Sequence, residues 1–239
     1  MKIITAADAN YKEMVQGAVA MNKRVGYETI VYDIGGLGFG IPFDISEDLQ
    51  MIASTKRELY TGTNVQKGSF KPKIILDAML RNPHEQWMVW IDSDAFCIQQ
   101  IHWLTYWRCF DIAVTMRRRG EHADTKFPMW DQYINSGVVF LHNTAYMRDF
   151  VRKWIALVPH TEALSDQEAL NIMCDAPKLK EYNKMYTING TKILNLSTNE
   201  YNFYYFPEKP QPYTKVLHFK GVKEETIKHF REYYKTDQP

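Results

Sequence analysis

Cysteine is rare in this sequence, and its spacing follows no metal or disulfide framework. The three cysteines, Cys97, Cys109 and Cys174, are odd in number and far apart, and no CxxC pair occurs. Disulfide scaffolds and structural zinc sites are built from cysteines in pairs at short spacings. We therefore expect neither feature, and we expect a reducing compartment, which favours a cytoplasmic location.

An excess of one charge and long apolar runs are also lacking. Lysine and arginine total 29 against 28 aspartates and glutamates, so the charge does not argue for a nucleic acid or an anionic membrane as partner. The apolar run at the N-terminus soon reaches Asp8, and nowhere do about 18 apolar residues follow one another. We expect no nucleic-acid partner, no signal peptide and no membrane span, and the oligomeric state stays open.

The abundant residues fit an ordinary globular domain. Hydrophobic residues make up 45% of the 239 residues, enough to fill a sizeable core. Strand-like and helical periodicities alternate, which favours an α/β fold with a mainly parallel central sheet and helices on both faces. The predicted strands cover residues 2–5, 29–32, 88–91, 112–115, 138–141, 192–196 and 216–218, and the predicted helices cover 11–25, 47–59, 71–80, 145–158 and 166–174.

The stretch GGLGFG at residues 35–40 has some likeness to a phosphate-cradling loop. It lacks the GxGxxG spacing, it follows the second predicted strand instead of the first, and no GxxxxGK[ST] occurs anywhere. The sequence therefore predicts a flexible loop here.

The most strand-like segment, VWIDSDAF at residues 89–96, ends in two carboxylates, Asp92 and Asp94. Like charges this close repel by ~1 kcal/mol in water and several-fold more where water is excluded, so the pair needs a compensating cation. Ligands of parallel sheets bind beyond the carboxyl ends of the strands, and the two aspartates lie at such an end.

Other polar segments lie near the ends of predicted strands and helices: TAADANY, INSG, SDQEALN and LHFKG. If neighbouring strands bring them to one cleft, His218 joins Asp92 and Asp94 in a site that suits Mn²⁺ or Mg²⁺. Against this interpretation, a DxD can arise by chance, and a lone histidine after a strand can be an ordinary edge residue.

Seven segments occur in one order along the chain: AADANY, FKPK, DSD, INSGVVFL, SDQEALN, YNFYYFP and HFKG. This succession resembles the GT-A fold glycosyltransferases, particularly the retaining enzymes of family 8, and VWIDSDA is also similar to a segment of family 34. The resemblance implies one GT-A (Rossmann-like) domain over residues 1–239, with a nucleotide-binding half (1–115) and an acceptor- and sugar-binding half (116–239). It also implies metal-dependent transfer of a hexose from a nucleotide diphosphate sugar to a glycan, glycoconjugate or other hydroxyl acceptor.

The same resemblance assigns roles to individual residues. At the base pocket it places Ala6, Asp8, Asn10 and Tyr11, and at the metal and the adjoining ribose it places Asp92, Ser93, Asp94 and His218. Around the sugar and the diphosphate it places Asn135, Ser136, Asp166, Gln167, Gly221, Lys71 or Lys73, and Lys220 or Lys223, with Asn135, Asp166 and Gln167 as the catalytic residues.

Some of these assignments compete with ordinary structural roles. Family 8 enzymes usually carry HxxGxxKPW where this chain has HFKGVKEE, so the choice between Lys220 and Lys223 stays open. The competing structural roles are a solvated helix start for Lys71 and Lys73, a turn before a strand for Asn135 and Ser136, and a helix cap for Asp166.

Three other functions compete with glycosyl transfer. Haloacid-dehalogenase-type phosphatases also place DxD at a strand end, but their motif continues DxDx[TV] close to the N-terminus, and the fifth residue here is Phe96. A sugar-nucleotide pyrophosphorylase would need a Gly- and Arg-rich loop after the first strand, where this chain has AADANY. The competing function that the sequence leaves open is a non-catalytic sugar-nucleotide or glycan-binding domain with the same fold.

The sequence says less about the two substrates. Asp8 and Asn10 offer acceptor and donor groups that can match uracil, which predicts a UDP-sugar over a GDP-sugar. Arg117, Arg118 and Arg119 form a basic cluster after a predicted strand, and this cluster either contacts an anionic acceptor or is a solvated surface.

Overall fold

The computed structural model describes residues 1–54, 70–102, 104, 109–117, 133–161, 164–204, 208–220 and 224–235. In these residues the strands are β1 (Lys2–Asp8), β2 (Thr29–Gly35), β3 (Ile41–Pro42), β4 (Trp87–Ile91), β5 (Ala95–Cys97), β6 (Ile112–Met116), β7 (Ile134–His142), β8 (Lys184–Ile188), β9 (Thr191–Leu196) and β10 (Val216–His218). The α-helices are α1 (Lys12–Arg24), α2 (Ser46–Ser54), α3 (Lys71–Arg81), α4 (Ala145–Leu157), α5 (Asp166–Met173), α6 (Thr198–Tyr201) and α7 (Glu224–Lys235).

Eight strands form one sheet in the order β3-β2-β1-β4-β7-β6-β9-β8. β7 runs antiparallel to both β4 and β6, and β8 runs antiparallel to β9. The remaining pairs are parallel, so β7 and β8 alone in this sheet oppose the common direction. The predicted α/β fold with a mainly parallel sheet is confirmed, as a single domain.

The central strands are covered on both faces because their side chains alternate between two cores. In β4, Met88 and Trp90 pack in a cluster with helices α3, α4 and α5, whereas Trp87, Val89 and Ile91 pack in a second cluster on the other face. Successive side chains of a strand point to opposite faces of the sheet. A fully apolar strand such as β4 is therefore buried throughout, as expected for the middle of a mainly parallel sheet.

The predicted elements are present, with shifts at their ends. The predicted helix at 47–59 is described as far as Ser54, and residues 55–59 lie outside the described part of the chain. The short strands β3, β5 and β8 were not predicted. The strand predicted at 138–141 begins at Ile134, so Asn135 and Ser136 lie inside β7, and the interpretation of these two residues as a turn before the strand is wrong.

The glycine-rich segment after β2 is a loop, as predicted, and Asp33 holds it in place. Its carboxylate accepts hydrogen bonds from the backbone N–H groups of Gly35 (2.9 Å), Leu37 (3.1 Å) and Gly38 (3.1 Å). Gly38 has a φ of +82°, a conformation that a residue with a Cβ atom rarely adopts. The glycines thus allow a tight turn around one carboxylate, and Leu37 is buried beneath it.

The structure bears on disulfide bonds and on membrane-spanning helices. All three cysteines are free, and Cys97 and Cys174 are buried. Among the helices of the described residues, none combines the length and the apolar character that crossing a bilayer requires.

Candidate active site

A cleft of about 390 Å³ lies at the edge of the sheet where β1, β4 and β6 end. The first residues of β7 lie at the same edge, because β7 runs opposite to its neighbours. The cleft is lined by Ala6, Ala7, Asp8, Tyr11, Ile34, Phe70, Lys71, Trp90, Asp92, Ser93, Asp94, Arg117, Asn135, Ser136, Ser165, Asp166, Gln167, His218 and Lys220.

Asp92, Asp94 and His218 meet in this cleft, with one ligand atom of each within 4.8 Å of the others. The short strand β5 follows Asp94 directly and pairs with β10, so that His218 lies opposite Ala95. The Nε2 atom of His218 is 3.2 Å from Asp94 Oδ1 and 3.8 Å from Asp92 Oδ2. Three residue pairs between β5 and β10 thus bring together side chains that are more than a hundred residues apart in sequence.

The hydrogen bonds of His218 favour a metal ligand. Its Nδ1 atom lies 2.8 Å from Asn202 Oδ1, and the Asn202 Nδ2 group donates to Thr115 Oγ1 at 2.8 Å. Because an amide oxygen can only accept, Nδ1 carries the proton, and in the neutral ring the lone pair of Nε2 then faces two carboxylates. A divalent cation between these groups removes the repulsion, and two carboxylates with one imidazole form a donor set that fits Mn²⁺ or Mg²⁺.

Gly137 makes room for the imidazole ring. A Cβ atom at this position would lie 2.7 Å from His218 Nδ1 and nearer still to Cε1, closer than real Cβ atoms approach other atoms. The carbonyl of Gly137 also accepts a hydrogen bond from the backbone N–H of Asp92 at 2.9 Å. The glycine in INSG is therefore needed for the packing of two of the three proposed ligands.

We expect Gly137→Ala to lower the affinity for Mn²⁺ by about 10- to 100-fold, the usual loss when a group that orients a ligand is disturbed. The measurement is a calorimetric titration with Mn²⁺. Gly17→Ala is the matched control. Its Cβ would come within 2.6 Å of the Phe230 ring, and neither residue lines the cleft. The control should lower thermal stability and leave Mn²⁺ affinity unchanged; wild-type Mn²⁺ affinity in Gly137→Ala would contradict the assignment.

Lys71 is buried at the floor of the cleft. Its Nζ atom lies 3.0 Å from Asp92 Oδ1 and 3.5 Å from Asp166 Oδ2, and it donates to the carbonyl (3.1 Å) and the hydroxyl (3.0 Å) of Ser136. Burial alone would lower the pKa of Lys71, but the charges of Asp166 and Asp92 outweigh burial and raise the pKa, so the ammonium stays protonated. The interpretation as a solvated helix start is wrong for Lys71.

Lys73 has a different environment, although it stands two residues further along α3. Its ammonium pairs with both oxygens of the buried Asp48, at 2.9 and 2.8 Å, which fastens α2 to α3. Lys73 is not among the residues that line the cleft. Of the two lysines between which the sequence did not decide, Lys71 is the one that lies beside carboxylates of the cleft, those of Asp92 and Asp166.

The start of α5 forms one wall of the cleft. Ser165 caps the helix by accepting from the Glu168 N–H, so Asp166 is the first helical residue and not the cap. The hydroxyl of Ser136 donates to Asp166 Oδ2 at 3.1 Å, and Gln167 Oε1 accepts from the Ser136 N–H at 3.1 Å. Burial raises the pKa of Asp166, and the adjacent Lys71 opposes this rise.

Asn135 lies next to this wall and is 3% exposed. Its Oδ1 atom accepts from the Gly137 N–H at 3.0 Å, but its buried Nδ2 group has no hydrogen-bond partner among the described residues. Buried polar groups are nearly always hydrogen-bonded, so an unsatisfied donor in a cleft is suited to contact a ligand.

The residues assigned to the base pocket lie at the end of β1. Ala6, Asp8 and Tyr11 line the cleft, whereas Asn10 is exposed and lies outside the lining set. The side-chain and backbone N–H groups of Asn10 donate to the Asp8 carboxylate at 3.2 and 3.1 Å. Burial and the charges of Asp94 and Asp92 raise the pKa of Tyr11, which keeps its hydroxyl protonated.

Lys220 is the described lysine of the HFKG segment, and Gly221 and Lys223 lie outside the described residues. Lys220 lines the cleft, and its Nζ atom is 3.0 Å from the centre of the Tyr204 ring. Its backbone has a φ of +40°, in the left-handed region that side-chain-bearing residues seldom occupy. Such conformations are often found at ligand sites.

Some residues in or beside the cleft were not assigned to the site from the sequence. Trp90 donates its indole N–H to Asp92 Oδ1 at 2.7 Å, and two-residue spacing in a strand could have indicated that they share a face. Asn202 had no such signal, because its contact with His218 depends on α6 lying beside β10. Arg117, at the end of β6, was predicted only as part of a basic cluster that either contacts an anionic acceptor or is a solvated surface, and the two arginines that follow it lie outside the described part of the chain.

The comparisons with known proteins support the same fold. No protein-family model matches the chain, and no curated protein matches its sequence. The solved structures that resemble it include a glycosyltransferase involved in glycosylation of the major capsid of PBCV-1 (TM-score 0.60, 12% identity, 97% of this chain and 98% of that one), the galactosyltransferase LgtC with donor and acceptor sugar analogs (0.53, 15%, 99% and 96%) and mouse xyloside xylosyltransferase 1 (0.52, 11%, 94% and 98%). The chain therefore has the GT-A fold of glycosyltransferases, which confirms the fold that the sequence predicted.

Proposed function

We propose that this protein is a metal-dependent glycosyltransferase that moves a hexose from a nucleotide diphosphate sugar to a hydroxyl group of a glycan or glycoconjugate. The observation that carries the proposal is the meeting of Asp92, Asp94 and His218 within 4.8 Å in the cleft of a GT-A fold. A volume of about 390 Å³ lies within the ordinary range for small-molecule sites.

Asp92, Asp94 and His218 would hold the cation, with Mn²⁺ or Mg²⁺ as the proposed ion. When bound, the cation supplies positive charge that stabilises the diphosphate as it leaves the anomeric carbon. Asn202 fixes the ring of His218, and Trp90 and Lys71 fix one oxygen of Asp92. Two of the three proposed ligands, His218 and Asp92, are thus oriented before any substrate arrives.

In the proposed reaction the bond between the anomeric carbon and the diphosphate oxygen breaks, the acceptor hydroxyl oxygen bonds to that carbon, and the hydroxyl proton passes to the departing diphosphate oxygen. Lys71 and Lys220 add positive charge along the cleft for the phosphates and the sugar. Asp166 is held by Lys71 and Ser136, and Gln167 by Ser136, so both can bind and orient the sugar ring. We propose transfer with retention of configuration, in which Asp166, Gln167 and Asn135 face the sugar.

We propose uracil as the base. Asp8 is held by both nitrogens of Asn10, and its carboxylate borders the cleft together with Ala6 and Tyr11. A carboxylate can accept the N3–H of uracil, while a backbone N–H can donate to a uracil carbonyl. The free cysteines fit a reducing, cytoplasmic setting for this reaction.

The test is calorimetric titration of UDP and GDP with Mn²⁺ and with excess chelator, followed by transfer assays with UDP-sugars. We expect UDP to bind more tightly than GDP, binding to require the cation, and readdition of Mn²⁺ to restore both binding and transfer after chelation. Full transfer in excess chelator would refute the metal dependence. Tighter binding of GDP than of UDP would refute the proposal that the base is uracil. Binding without any transfer during long incubation would favour a non-catalytic binding domain.

A further inference from the structure

Arg117 lines the cleft, and no step of the proposed transfer uses it. It follows β6 directly, and its backbone N–H donates to the Tyr133 carbonyl at 2.7 Å. The guanidinium lies 5.5 Å from the centre of the Tyr133 ring, a distance at which a cation is attracted to an aromatic face. The side chain is therefore held against one wall of the cleft.

The charge of Arg117 differs from that of Lys71 in its surroundings among the described residues. Lys71 lies beside two carboxylates, whereas no ion pair joins Arg117 to a carboxylate of the described residues. The buried Nε atom of Arg117 also has no hydrogen-bond partner in that part of the chain. Leaving a buried donor unpaired is unfavourable, so such a group in a cleft is suited to receive an acceptor from a ligand.

A second unsatisfied donor lines the same cleft. The Nδ2 group of the buried Asn135 likewise has no partner among the described residues. Tyr133 connects the two positions, since its hydroxyl interacts with the side chain of Gln167, whose oxygen accepts from the Ser136 N–H. Burial raises the pKa of Tyr133 to about 12, so the ring that supports Arg117 remains neutral.

The order of strands places Arg117 at a defined end of the cleft. Across the sheet, β1 carries the proposed base pocket, β4 leads to the metal ligands, β7 carries Asn135, and β6 ends at Arg117. Neighbouring strands are about 4.8 Å apart, so Arg117 begins about 10 Å beyond the strand of the metal ligands. A sugar joined to a diphosphate at the metal site, or an acceptor beside that sugar, extends in this direction.

We propose that Arg117, with Asn135, forms a subsite for the carboxylate of an anionic sugar such as a uronic acid. The inference rests on the proposed function and specifies its substrate class. A guanidinium presents a planar set of donors that matches a carboxylate in a two-point contact, which a lysine cannot reproduce. The carboxylate can belong to the transferred sugar or to the acceptor, because both would pass this end of the cleft.

The experiment compares charged and neutral sugars in two arms. The donor arm titrates UDP-glucuronic acid and UDP-glucose with Mn²⁺ present. The acceptor arm titrates methyl β-glucuronide and methyl β-glucoside into protein saturated with UDP and Mn²⁺. Each arm uses wild type, Arg117→Gln, Arg117→Lys and the control Arg231→Gln, which removes a surface charge paired with Glu13.

We expect wild type to bind the charged sugar at least about tenfold more tightly in one arm, the scale of a charge-assisted contact, and that arm identifies the source of the carboxylate. Arg117→Gln should abolish the preference, Arg117→Lys should keep part of it, and Arg231→Gln should keep all of it. UDP affinity within about twofold of wild type would show that a variant retains its donor site; if Arg117→Gln does not fold, Arg117→Lys provides the comparison.

Absence of a charge preference in both arms, with UDP still bound, would overturn the carboxylate subsite alone. A preference that survives unchanged in Arg117→Gln and Arg117→Lys would also overturn it. If neither UDP nor GDP binds wild type with Mn²⁺, the proposed function itself fails and the subsite with it.

Discussion

Removing the Asp94 carboxylate should weaken the binding of UDP in the presence of Mn²⁺ by at least about 100-fold. Disturbing a group that merely orients a metal ligand costs about 10- to 100-fold, and Asp94→Ala removes one of three ligands directly. His218→Ala should cause a similar loss, because its Nε2 atom lies 3.2 Å from the same carboxylate. The double variant should lose much less binding free energy than the sum of the two single losses, since both changes disable one shared cation.

The measurement is calorimetric titration of UDP with Mn²⁺ on wild type, both single variants and the double variant. Asp149→Ala serves as the control, because this exposed carboxylate pairs with Arg152 on the surface of α4. The control should bind UDP like wild type. Strictly additive losses, or a His218→Ala variant with normal affinity, would show that His218 and Asp94 do not share a cation.

Replacing Lys71 by methionine should lower the free energy of unfolding by about 3–5 kcal/mol, the usual cost of removing one partner of a buried ion pair. The variant leaves Asp166, which is 4% exposed, without its cation. Lys71→Met with Asp166→Asn should recover part of the loss, because the second change removes the unpaired charge. Urea unfolding in metal-free buffer measures both effects.

Lys73→Met is the matched control, since it also breaks a pair with a buried carboxylate, Asp48, on the same helix. It should lower stability and leave the UDP affinity of the folded protein unchanged, whereas Lys71→Met should lower both. An unchanged unfolding energy for Lys71→Met, or an equal effect of the two variants on UDP affinity, would contradict the role assigned to Lys71.

The sequence predicted the parts of the fold that depend on local pattern. An uninterrupted apolar run identified β4, because a strand covered on both faces can carry apolar residues at every position. The direction of β7 was not predictable, since alternation of side chains has no polarity along the chain. Asn135 and Ser136 were interpreted as a turn because turn-forming residue types precede the apolar run, although they lie in a strand that begins beside Asp92 and runs away from it.

Local sequence pattern also decided which site residues could be identified. Asp92 and Asp94 follow a strong strand signal, so their place at the edge of the sheet was evident. Lys71 and Lys73 could not be told apart, because both begin the same helix and differ in the carboxylates that other elements bring to them. The pairing of β5 with β10 was missed, since a three-residue strand has too few positions to show a period.

The ladder between β5 and β10 also bears on how the chain folds. Its paired residues, such as Ala95 and His218, are separated by about half of the sequence, so closing it costs chain entropy before any contact offsets that cost. Contacts of this kind form slowly relative to local helices and hairpins. We therefore expect the cleft to form late during folding, so that the ability to bind a ligand is acquired after the sheet behind it has assembled.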